Sequence, residues 1–247
     1  MQKKPEMILF DYGETLITED KFNPERGNQA LLEMAARNPY KVTPRQVQEL
    51  ADSLGKDLGD AMLGKDRNHK LLDVTHQAFN RYLYEYFGVE FNESTDYLEW
   101  IFWSNAAPGH PTKNIGKLLS FLQDSGIRTA VVSNMMNTSK SLSRRLEELL
   151  PEHHFEFIIA SSDYMFRKPH PRIFEMALAK AKLSPDKVWF CGDNPVCDIE
   201  GAYRAGMTPV WYTAYLEDKF EVPAITYLPA ADWEDVIAMI TQSSGSC

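Results

Sequence analysis

Residues 8–17 read "ILFDYGETLI", an apolar run that ends on the carboxylate of Asp11 and breaks at once into Tyr12, Gly13, Glu14 and Thr15. With Met7 before it, the run fits a strand buried on both faces, the pattern of a parallel sheet covered by helices. Similar short runs recur at 127–133 (IRTAVVS), 156–160 (EFIIA), 187–191 (KVWFC) and 208–212 (TPVWY). Between them lie stretches with helical spacing: "KNIGKLLSFLQDSG", "TSKSLSRRLEELL", "PRIFEMALAKAKL" and "DIEGAYRAGM". Strands alternating with helices imply right-handed βαβ units, so the expected fold is α/β with a Rossmann-like parallel sheet.

The interval from about residue 20 to 106 breaks this rhythm. It holds no convincing strand but several helical stretches, among them "PERGNQALLEMAARN", "TPRQVQELADSLGKDLGDAM", "HKLLDVTHQAFNRYLYEYF" and "STDYLEWIFWSN". Thr43 before Pro44 is a good N-cap and first-turn pair. The expected division is an α/β core from residues 1–18 and 107–247 and an inserted all-helical domain from 19–106. The Pro-Gly-His-Pro stretch at 108–111 is read as the return to the core, and the polar tail "TQSSGSC" at 241–247 is expected to fray.

With 247 residues, 44% of them hydrophobic, the chain can bury a sizeable core. A formal net charge of -9 without a long basic cluster argues against nucleic acid as a partner. No segment has the apolar length to span a bilayer, and the first ten residues lack the pattern of a signal peptide, so a cytoplasmic protein acting on a small molecule is expected. The cysteines, Cys191, Cys197 and Cys247, read as reduced thiols, with Cys191 a small buried hydrophobe.

Ligands of a parallel sheet bind beyond the carboxyl ends of its strands. The first strand is followed by Asp11 and Thr15, the second by Ser133 and Asn134, the fourth by Gly192, Asp193, Asn194 and Asp198; Lys168 stands before Pro169 after the third. Carboxylates, a hydroxyl and an ammonium thus gather at one edge. Through "FDYGETL", "VVSN", "RKPHPRIF" and "CGDNPVCDIEGAYRAGM" in this order, the chain resembles the haloacid dehalogenase (HAD) superfamily of hydrolases over residues 5–18 and 107–215. The helical insertion is similar to that family's first class of cap domain.

The resemblance implies a phosphatase that forms an aspartyl-phosphate on Asp11, with Ser133 and Lys168 holding the phosphoryl oxygens, Asn134 beside them and Thr15 orienting the phosphate or its loop. It implies Mg²⁺ held by Asp11, the Gly13 carbonyl and Asp193, with Asp198 and Asn194 around them. The implied partner is a small phosphorylated metabolite.

Phosphatases of this family carry an aspartate acid/base where this chain has Gly13. Glu14 is one replacement; a substrate with a good leaving group, such as an acyl phosphate, is another answer. A metal-independent dehalogenase is a third, and so is a phosphonatase with a Schiff-base lysine from Lys56, Lys65 or Lys70. A weakened phosphate-ligand-binding protein is the non-enzymatic alternative. Against the dehalogenase stands Asp193 with ordinary phosphatase spacing. His110 and His170 read as surface or capping residues, His153 and His154 as loop, and the insertion's aromatics, from Tyr82 to Trp103, as core before pocket.

Overall fold

The computed structural model of the protein describes residues 3–63, 75–215 and 224–244. Strand β1 (Met7–Phe10) is completely buried and lies at the middle of a parallel sheet. Its side chains alternate: Ile8 and Phe10 enter one apolar cluster with Trp233 and Leu142, Met7 and Leu9 the opposite one with Phe174 and Phe190. Apolar at every position, β1 serves both faces. It pairs with β4 (Arg128–Ser133) on one side and β6 (Val188–Gly192) on the other. With β5 (Phe155–Ala160), β7 (Thr208–Tyr212) and β8 (Leu228–Ala230) the order is β5-β4-β1-β6-β7-β8. The expected α/β fold is thus present. Strand β8 was not anticipated, since three residues with Pro229 among them carry no readable period.

Helices α5 (Ile115–Asp124), α6 (Ser139–Leu149) and α8 (Pro171–Ala181) fall where the spacing placed them. A short helix α7 (Ser161–Tyr164) leads from β5 toward Lys168. The stretch "DIEGAYRAGM" is not one regular helix: a π turn over Pro195–Glu200 precedes α9 (Gly201–Arg204). Asn194 starts that turn by accepting from the amides of Val196 and Cys197 at 3.1 and 2.8 Å. The last helix, α10 (Trp233–Ser244), corrects the expected fraying from 241 onward as far as Ser244, because Trp233, Val236 and Ile240 lock it to the core. Cys247 lies outside the described residues.

Helices α1 (Pro24–Glu33), α2 (Pro44–Leu63), α3 (His76–Tyr86) and α4 (Thr95–Ala106) make up the described part of the insertion. Each start is written locally. Asn23, Thr75 and Ser94 cap their helices, while Thr43 and Gln46 bond reciprocally in a capping box. The four share an apolar cluster of their own around Leu31, Val47, Leu83 and Phe102. The stretch at 108–111 is more than a return: β3 (Gly109–Pro111) pairs antiparallel with β2 (Ile17–Glu19), a ribbon too short to show a period. Buried Glu99 of α4 accepts from the amide and hydroxyl of Thr138, the N-cap of α6, at 3.2 and 2.6 Å, joining the insertion to the sheet layer.

Helices α1 and α4 approach closely at Gly27, where a Cβ would stand 2.6 Å from the Phe102 ring and 2.9 Å from its carbonyl oxygen. Gly27→Ala is therefore expected to destabilise the protein by about 1–3 kcal/mol through overpacking, read as a lower midpoint in denaturant unfolding.

Candidate active site

Asp11 continues the β1 ladder by one residue, donating its amide to the Cys191 carbonyl at 2.9 Å. That places its carboxylate at the carboxyl end of the central strand, between the ends of β4 and β6 that carry Ser133 and Asp193. The chain departs from β1 toward opposite edges here, the switch point where open α/β sheets bind ligands. Lys168 reaches this point from the segment between α7 and α8, its Nζ 2.7 Å from Asp11 Oδ1 and 2.6 Å from Asp198 Oδ1. Burial alone would push this ammonium down, but the two carboxylates outweigh it and hold the group above its ordinary range. Its backbone is held as well: Asn134 Nδ2 donates to the Lys168 carbonyl at 2.8 Å, and the Lys168 amide donates to Asn134 Oδ1 at 2.7 Å.

Asp11, Asp193 and Asp198 each offer an oxygen within 4.8 Å of the others. Burial first, then the neighbouring Asp198 and Asp11, raises the Asp193 carboxyl above the usual range, and burial raises Asp198 against the pull of Lys168. Trp211 Nε1 donates to the Asp193 carbonyl at 2.8 Å. Thr15, fully buried, stands behind this group, with Oγ1 3.5 Å from Asp193 Oδ1; it is not among the residues lining the cavity above. Gly192 lets Asp198 fold back over the strand end, since a Cβ there would lie 2.5 Å from the Asp198 carboxyl carbon.

That cavity, about 380 Å³, is lined by Asp11, Gly13, Ser133, Asn134, Lys168 and Asp193, together with Asn194 and Asp198. A Cβ on Gly13 would meet nothing within 4 Å, so the position of the missing side chain is open space. Glu14 is exposed, carries a left-handed φ of 50° and lies outside the cavity lining. His110 pairs with Asp20 at the surface, and His170 caps α8 by accepting from the Arg172 amide. Lys56 is exposed on α2, while Lys65 and Lys70 lie outside the described residues. Of the insertion's aromatics only Trp103 lines this cavity; Tyr84 and Phe102 are core, Tyr82 and Tyr86 are exposed. Cys191 is buried, its thiol raised by burial.

Glu19 also lines the cavity and did not emerge from the sequence. Its Oε1 accepts from Tyr12 Oη and Trp103 Nε1 at 2.9 Å each and pairs with an Arg145 nitrogen at 3.0 Å. Arg145 is 2% exposed. It occupies the face of α6 that Leu142 and Leu146 bury, and a cation on an apolar stripe was the readable sign.

The pattern of haloacid dehalogenase-like hydrolases matches residues 8–212. The chain belongs to that family. A phosphoserine phosphatase of Thermus thermophilus is 41% identical over 59 residues, 24% of this chain and 24% of that one. A glyceraldehyde 3-phosphate phosphatase of Pyrococcus furiosus is 28% identical over 135 residues, 53% of this chain and 54% of the relative. These matches span a quarter to a half of the relatives' own length. The solved 2-haloacid dehalogenase of Pseudomonas syringae pv. Tomato shares the fold, with a TM-score of 0.64 at 20% identity over 98% of this chain and 99% of that one. Among the described residues no helix is long and apolar enough to cross a membrane.

Gly192→Ala is expected to displace the Asp198 carboxylate and part it from Lys168. A melting temperature several degrees lower, for a loss of about 1–3 kcal/mol, is the expected result in a thermal scan.

Proposed function

We propose that the protein is a Mg²⁺-dependent phosphatase of small phosphorylated metabolites, working through an aspartyl-phosphate on Asp11. The observation that carries this is the charge balance of the site: three carboxylates, all oxygen donors, gather around one buried ammonium. Such a set fits a hard divalent cation, and Asp11, Asp193 and the Gly13 carbonyl would hold it, with Asp198 fixed on Lys168. When bound, the cation supplies charge neutralisation for an incoming phosphate. A metal-independent dehalogenase has no need of the further carboxylate of Asp193, which is why phosphoryl chemistry is preferred.

Lys168 fixes the rotation of the Asp11 carboxylate and stands ready to take a phosphoryl oxygen, as does Ser133, buried at the end of β4. The Asp11 carboxylate forms the new bond to phosphorus while the bond to the leaving oxygen breaks; water then attacks phosphorus, the bond from Asp11 oxygen to phosphorus breaks to restore the carboxylate, and the water's proton leaves on the released phosphate. Nothing on Gly13 can protonate the leaving oxygen, and Glu14 is not among the residues that line the cavity. Substrates whose leaving group departs without a proton are therefore favoured. We assign residues 19–106 to a cap over this core. Support comes from the separate apolar cluster of the helices and from Trp103, which α4 brings to the cavity wall. The β2–β3 ribbon spans the joint.

Asp11→Asn should abolish phosphate release from p-nitrophenyl and acetyl phosphate, and EDTA should do the same to the unaltered protein; turnover surviving both would rule this mechanism out. Gly13→Asp, which has open space to occupy, should raise kcat on alkyl phosphates by about 100-fold or more relative to aryl phosphates. An unchanged ratio in a folded variant would place the acid elsewhere.

A further inference from the structure

Resting on the phosphatase reading, we propose that Glu19 selects the leaving group: its carboxylate accepts a hydrogen bond from a hydroxyl or ammonium carried by the substrate beyond its phosphate. Three donors, Tyr12 Oη, Trp103 Nε1 and Arg145, converge on Oε1 alone. Among the described residues no donor reaches Oε2, although the side chain lines the cavity and is 28% exposed. One oxygen is thus anchored, and the other belongs to a side chain on the wall of the cavity that Asp11 also lines.

The anchoring is elaborate for a surface glutamate. The Arg145 guanidinium also donates from Nε to Tyr12 Oη at 2.6 Å and to the Ala107 carbonyl, and it stacks over the Trp103 ring at 4.4 Å. Gly109 makes room for it, since a Cβ there would stand 2.9 Å from that guanidinium. The Tyr12 phenol is held protonated, above its ordinary range, by burial and by Glu19. Its proton therefore stays between the oxygens, and the hydroxyl is no competing donor to the substrate. Three donors hold Oε1, so the second oxygen of the same carboxylate is fixed in place and selects partners that bring a proton. A carboxylate or second phosphate at that place meets like charge instead.

Glu19→Gln tests this with the anchor kept. Its amide oxygen must remain on Tyr12, Trp103 and Arg145, which all donate, so the amide nitrogen replaces Oε2 and turns an acceptor into a donor. The readout is kcat/KM for glycerol 1-phosphate (hydroxyl), phosphoethanolamine (ammonium) and phosphoglycolate (carboxylate), each divided by that for p-nitrophenyl phosphate. The first two ratios are expected to fall about 10- to 100-fold, the one with the larger fall naming the donor, and the carboxylate ratio to rise. Ratios that stay constant, including an equal loss on all four substrates, would overturn the assignment and leave Glu19 a structural or proton-transferring group.

A second arm does not need turnover. The thermal stabilisation of Asp11→Asn by phosphoethanolamine and glycerol 1-phosphate, relative to phenyl phosphate with Mg²⁺ present, should shrink when Glu19→Gln is added. No hydrolysis of any substrate by the unaltered protein would end the phosphatase reading alone, and equal stabilisation in both variants would end this one.

Discussion

The site depends on one buried cation held between two carboxylates. An ammonium as deep as that of Lys168 cannot stay charged without partners, and Asp11 supplies one from the end of β1 and Asp198 the other from the π turn after β6. The desolvation of all three groups is offset only if the geometry is kept, so the surroundings are built to keep it. Gly192 removes the atom that would push Asp198 away, and Asn134 grips the lysine by its main chain. The third carboxylate, Asp193, crowds against this group, and burial with the two neighbouring carboxylates holds it above its usual range.

A second buried cation, Arg145, organises the other wall. It links the loop after β1, the β2–β3 ribbon, the end of α4 and helix α6, so the joint between insertion and sheet and the wall of the cavity are one piece of structure. Glu99 makes a second joint on the same helix through Thr138. The insertion therefore meets the core through charged and polar contacts at the edge of the site and through Trp103 of α4, which joins the apolar cluster of the sheet layer, while the rest of its helices keep a cluster of their own.

The parallel sheet was legible because its strands are apolar on both faces, and β1, β4, β6 and β7 are written as unbroken runs. Helix starts were legible where a cap precedes a proline, as at Thr43. The three-residue strands β2, β3 and β8 were not, since a period of two needs more residues to show. Asp11, Ser133, Lys168 and Asp193 could be read from the order of strand ends, and the structure brings them to one cavity. Glu19 could not, because its role arises from a residue 126 positions away meeting it in space, and of Arg145 only its place on the apolar stripe of α6 was readable. Glu14 shows the opposite case: adjacent in sequence to Gly13, it has a left-handed backbone and stays outside the cavity lining.

The amide of Asn134 closes a bridge to Lys168 that mimics a pair of strand-to-strand hydrogen bonds, although no strand runs there. The position of the lysine is thereby set by a contact at its own residue rather than by the length of chain that delivers it. Both ends of the residue are therefore fixed, the main chain by Asn134 and the ammonium by the two carboxylates, and the lysine acts as a strut between the loop after β4 and the strand end. Asn134 is the residue that ties that strut to the sheet edge, and its replacement would loosen the lysine without removing any charge from the cavity.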